Sequence, residues 1–172
     1  MLHRLGLTYR NQKGSALTEL LIAITVAALI AIAVAMGVFQ IVTGNARTSN
    51  HLTAVRQVQE AGYWVSHDTQ MSAIVSTTPG NGFPLTLQWQ KWDGSIEYEA
   101  VYSLQNTKLH RSYSVNDVVQ SSGIIAEYID LSQTNCNFTG DELIFTVRAT
   151  IGSGSQQGSE TRVYKIKPRP GF

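Results

Sequence analysis

Residues 20–42 read LLIAITVAALIAIAVAMGVFQIV, an apolar run of 23 positions without one ionisable side chain. As a helix it would be roughly 35 Å long, against a hydrocarbon core of ~30 Å. No proline interrupts it, so the pattern predicts a membrane-crossing helix. From residue 47 to about residue 71 the pattern changes. Leu52, Val55, Val58, Ala61, Gly62 and Val65 recur at three- and four-residue steps, with Arg56, Gln57, Gln59, Glu60 and Ser66 between them. One apolar stripe of that spacing predicts an amphipathic helix over residues 43–75. Gly44-Asn45 is the weak point at which it would bend.

Beyond Pro79-Gly80-Asn81-Gly82 the period falls to two. Alternation at 85–89 and 96–104 predicts strands on either side of an Asp93-Gly94 turn. Further strands are expected at 108–112, 124–131, 142–151 and 161–167, with a turn at Gln105-Asn106-Thr107 and a flexible loop over 152–158. Hairpin-length connections imply antiparallel pairing. The expected fold class is α+β: a long N-terminal spine helix packed on an antiparallel β-sheet head over residues 76–172.

Composition narrows the function. The 172 residues carry thirteen Lys+Arg against twelve Asp+Glu, and only 15% are charged. Such a balance gives no support to a general nucleic-acid binder, which shows a basic excess. Cys136 is the single cysteine, which excludes an intrachain disulfide, a CxxC redox pair and a zinc cluster. His3, Arg4, Arg10 and Lys13 precede the apolar run with no acid among residues 1–14. The positive-inside rule therefore leaves the N-terminus in the cytoplasm and the head outside. Ala33-Val34-Ala35 matches a secretory cleavage site, but the apolar run continues past it with no polar segment and exceeds the length of a signal-peptide core.

Glu19 is the informative residue, set between Leu17-Thr18 and the apolar run. An acid at the centre of a membrane helix costs ~2.5–3.5 kcal/mol, less near an end. It would mark the interfacial end of the span if it stood alone. It stands instead in Lys13-Gly14-Ser15-Ala16-Leu17-Thr18-Glu19-Leu20, after a basic leader that ends in glycine. This arrangement resembles the type IV prepilin signal, with Ser15 where phenylalanine is usual.

The resemblance implies a type IV pilin-like fold and removal of the leader, residues 1–14, by a prepilin peptidase between Gly14 and Ser15. Ser15 would then be N-methylated, residues 15–42 would be kept as transmembrane and assembly helix, and Glu19 would neutralise the N-terminal amine of a neighbouring subunit. Partners implied are other pilin or pseudopilin subunits, the inner-membrane assembly platform and, before assembly, lipid. The chain would be a structural subunit of a type IV pilus or a type II secretion pseudopilus, with no enzymatic activity, cofactor or metal. Residues 58–68, VQEAGYWVSHD, also resemble minor pilins and pseudopilins of the W/J type.

The physics suits that use. Cleavage creates an α-amine of ordinary pKa ~7.7–8 at the start of an apolar helix. That cation and the Glu19 carboxylate are both unfavourable in a dry bundle unless paired, and such a pair sets the register between helices. Ala27, Ala28, Ala31, Ala33, Ala35 and Gly37 allow close helix approach.

The head offers weaker signals. His67-Asp68 has the look of a base and its orienter, but neighbours on a helix point apart, so surface polarity or a cap is the expectation. Glu97 and Glu99 share a strand face, as a calcium site or half of an acid–base pair would, and a solvated face is expected. Trp64, Trp89, Trp92, Tyr98 and Tyr102 form either a ligand-stacking patch or core. Lys165, Lys167 and Arg169 stand two apart, as phosphate contacts or as a protected edge. Removing the leader takes three of the thirteen Lys/Arg and leaves ten against twelve acids, which counts against nucleic acid. Two other classes remain: a signal-anchored extracytoplasmic enzyme or binding module, and a competence pseudopilin that binds DNA.

Overall fold

The computed structural model describes residues 15–170, the Ser15 side chain excepted. The expected leader, with Gly14, lies outside them. The elements in order are a helix α1 (Ser15–Met71), strands β1 (Ile74–Thr78), β2 (Gly82–Gln90), β3 (Glu97–Gln105), β4 (Lys108–Val115), β5 (Val118–Ala126), β6 (Asn135–Thr139) and β7 (Glu142–Ile151), a 3-10 turn at Gly154–Gln156, and β8 (Gly158–Ile166). The chain divides into two units, the first ending at Thr43 and the second beginning at Gly44. Residues 43–46 are helical, so Gly44-Asn45 does not end the helix.

In the first unit the helix is long and apolar enough to cross a membrane. Its residues from 16 to 36 are exposed without exception, Leu17 to 69% and Leu29 to 68%. A continuous apolar surface of this kind calls for lipid or neighbouring helices to cover it.

In the second unit the helical stripe is Ala54, Val58, Ala61 and Val65, all fully buried, and it continues through Asp68 and Thr69. The periodicity named the right period and partly the wrong face: Leu52 is 56% exposed. The helix stops at Met71, short of the expected residue 75, because the sheet takes over the backbone. The Ser72 amide still donates to Asp68 O at 3.0 Å, but the next amide, Ala73, donates to Gln88 O at 2.9 Å.

Two antiparallel sheets pack on this helical stripe where one was expected. The first is a five-stranded meander, β1-β2-β3-β4-β5, and the second a three-stranded one, β6-β7-β8. Leu85, Leu87, Ala100, Tyr102 and Leu109 from the first and Leu143, Phe145, Val147 and Ala149 from the second join the helix residues in one core. In β7 the buried positions alternate, as a half-buried strand requires. The β3–β4 and β4–β5 hairpins turn at Asn106-Thr107 and Asn116-Asp117, with positive φ at both central residues of each, the twist that tight hairpins favour. The expected strand over 124–131 ends at Ala126. Tyr128 takes φ 60°, and Ile129 bridges singly to Ala149.

Helix and sheet approach most closely where side chains are absent. A Cβ on Gly158 would stand 2.3 Å from the His51 backbone nitrogen, and one on Gly62 2.0 Å from a Tyr164 ring carbon. Gly158→Ala is therefore expected to cost about 1–3 kcal/mol by overpacking, read as a lowered thermal midpoint of the detergent-solubilised chain. Gly123→Ala, with nothing within 4 Å, should leave the midpoint unchanged.

Candidate functional site

Glu19 is the fifth residue of α1 and is exposed. It is the one ionisable side chain among residues 15–46, and none of the ion pairs among the described residues includes it. Ser15 opens the helix. A carboxylate on the shoulder of an apolar helix is thus left with its charge uncompensated within the described part of its own chain.

The second acid of interest is Asp68, and here the expectation of surface polarity fails. Its residue exposure is 1%. Arg111 on β4 grips it with both arms of the fork, Nε donating to Oδ2 at 2.7 Å and Nη2 to Oδ1 at 3.1 Å. The Tyr102 hydroxyl on β3 donates to the same Oδ2 in a short hydrogen bond. His67 Nδ1 lies 3.2 Å from Oδ1. His67 itself is exposed, yet its ring meets the buried Asp68 carboxylate, so the two neighbours do not point apart as expected.

Aromatic rings close over this group. The Arg111 guanidinium lies 4.8 Å from the Trp64 ring centre and 5.1 Å from that of Tyr113, within cation–π range of both rings. Tyr113 continues into Tyr98 and Trp89, the three ring centres being 5.8–6.4 Å apart. Burial, then the Asp68 charge, pushes the Tyr102 phenol well above its ordinary value. For Arg111, burial works against the charge, but the Asp68 carboxylate outweighs it and raises the pKa. Tyr113 is raised by burial and by its neighbour Tyr98.

In this geometry Asp68 is held on every side. Two carboxylate oxygens offer about four acceptor positions, and Arg111, Tyr102 and His67 occupy them. No lone pair of Asp68 is left for a substrate proton. The expected aromatic patch is divided accordingly: Tyr102 is core, Trp64, Trp89 and Tyr98 are half-buried around the clamp, and Trp92 is 86% exposed. Tyr113 and Arg111, which complete the cluster, carry no sequence signal beyond their place in an alternating run.

The other candidates are quieter. Cys136 is buried with its thiol 3.0 Å from Gly82 O, and burial pushes its pKa up to about 12. Glu97 and Glu99 are each bonded to a glutamine. Lys167 pairs with Asp141 at 2.9 Å, which also lowers the Asp141 pKa, and the Arg169 amide donates to Ser72 O. Among the described residues no three His, Cys, Asp or Glu side chains converge as metal ligands would. Comparison with models of known families, with curated proteins and with solved structures finds no match to this chain.

Arg111→Ala would leave the Asp68 charge buried without its counter-ion, and a loss of about 3–5 kcal/mol of unfolding free energy is expected. Arg111→Lys keeps the charge but loses the fork and the ring contacts, so it should recover only part of that loss in chemical denaturation. The raised Cys136 pKa means the neutral thiol is the folded form. At pH 9.0, the ordinary thiol value, iodoacetamide should label the folded chain far more slowly than the urea-unfolded chain. Equal rates would show that the thiol is open to solvent.

Proposed function

We propose that the chain is a prepilin-like structural subunit, a minor pilin or pseudopilin, and not an enzyme. In this reading it is anchored by residues 15–42 with its leader in the cytoplasm and its head outside, and it is cut after Gly14. It then enters a type IV pilus or a type II secretion pseudopilus through its N-terminal helix. The observation that carries the reading is Glu19: a lone acid five residues after Gly14, on a helical segment exposed without exception from residue 16 to residue 36.

The chemistry follows from that placement. Removing the leader turns Ser15 into a cationic N-terminus, and N-methylation keeps that charge. Packing such helices together takes both the amine and the carboxylate out of water, so each is stable only opposite the other. A neighbour displaced along the fibre axis brings its Glu19 level with the amine, and the pair then sets the step of the assembly. The exposed Leu, Ile and Val side chains of residues 20–42 supply the contact area, and the alanines with Gly37 set how near the helices come.

The α+β architecture, with a helical stripe packed on antiparallel sheets, supports this reading at the level of architecture. The alternative of a DNA-handling subunit is weakened at Lys167, one of the three C-terminal basic residues, which is paired with Asp141. The anchored-enzyme alternative gains nothing from Asp68 as a proton acceptor, since its lone pairs are taken.

Intact-mass analysis of the chain extracted from membranes should give a protein that begins at Ser15 and is heavier by one methyl group. A chain that begins at Met1, or near Met36, would refute maturation at Gly14. Glu19→Leu should be cleaved normally yet enter filaments at least a hundredfold less, since an amine buried without its partner costs about 3–5 kcal/mol. Undiminished incorporation would show that the pair is dispensable.

A further inference from the structure

A groove of about 470 Å³ lies at the end of the five-stranded sheet, within the size range of small-ligand sites. Its wall includes two cross-strand pairs, Gln88 opposite Glu99 and Gln90 opposite Glu97. Each glutamine amide donates to its glutamate, at 2.7 Å and 2.8 Å. The two pairs are two residues apart along the strands, so they form rungs ~7 Å apart, each spanning a strand gap of ~4.8 Å. Ser114, next to Glu99 on β4, adds a hydroxyl. Trp92, in the connection between β2 and β3, lines the same groove and is 86% exposed.

The bonding left over on these groups selects the ligand. Each glutamine spends one amide hydrogen on its glutamate and keeps a second N–H and its carbonyl oxygen. Each glutamate keeps an oxygen. The floor therefore presents donors and acceptors side by side, at spacings of one hydroxyl pair. A cation wants acceptors alone and would meet amide hydrogens, and an anion wants donors alone and would meet carboxylates. A hydroxyl donates and accepts, so it is satisfied by both. Charge agrees, because Glu97, Glu99 and Asp117 share the lining with Lys91 and Arg169. An indole exposed to this degree gives a flat apolar surface on which the C–H face of a sugar ring can lie.

We infer that this groove binds a neutral polyhydroxylated ligand, an oligosaccharide, with Trp92 as stacking platform and the Gln88–Glu99 and Gln90–Glu97 pairs as hydroxyl readers. The inference does not rest on the filament reading and is tested on the unassembled chain. The full chain, in a detergent without a sugar headgroup, is titrated calorimetrically with soluble hexamers of glucose, mannose and N-acetylglucosamine. At least one hexamer should saturate. Trp92→Ala and Gln90→Ala, both at exposed positions, should each weaken that binding about tenfold without lowering the thermal midpoint. Absence of binding by all three hexamers would overturn the assignment, as would unchanged affinity in both variants. Tighter binding of pentalysine than of any hexamer would also overturn it, by making the groove a cation site.

Discussion

A carboxylate taken out of water must find donors for all of its lone pairs, and much of the head is arranged around meeting that demand at Asp68. Desolvation penalises the charge unless pairing and hydrogen bonds are both complete. Helix α1 contributes the acid, β3 the tyrosine and β4 the arginine, so three elements are fixed relative to one another by a single group. The directional fork of Arg111 sets the orientation that apolar packing of Ala54, Val58, Ala61 and Val65 leaves free, because dispersion has no direction. The rings of Trp64 and Tyr113 then exclude water from the guanidinium and strengthen the same pair.

Glu19 presents the opposite case. Asp68 is neutralised inside its own chain, whereas Glu19 has no counter-charge among the described residues. The apolar surface beside it is equally unsatisfied, since the residues from 16 to 36 are all exposed. That segment is long and apolar enough to cross a membrane, and in the proposed assembly one neighbour supplies both requirements.

Local sequence signals mark some strands of the head and not others, for physical reasons. Asn106-Thr107 is a turn as expected and Asn116-Asp117 is its equivalent, but residues 118–123 of β5, which follow it, carry no strand pattern. That strand is exposed along most of its length, so it lacks the alternation by which a half-buried strand is recognised. Strand β1 is short and follows the helix after only two residues. Strand β6 is short and rich in asparagine. Over residues 124–131 the buried positions are Ala126 and Ile129, three apart and not two, because Tyr128 enters the left-handed region between them and breaks the strand.

From the residues alone came the features set by local chemistry and period. These are the 23-residue apolar run with Glu19 at its shoulder, the amphipathic helix that follows it, and the sequence of antiparallel hairpins. Each depends on neighbours along the chain, which the sequence states directly. Tertiary structure decided which strands pair, and so made two sheets where one was expected. It also chose which face of the helix is inward and turned Asp68 from a surface group into the buried centre of a clamp. Those outcomes depend on residues far apart in the chain, such as Asp68 and Arg111, and hydrophobic period carries no record of which distant partner a polar side chain will meet.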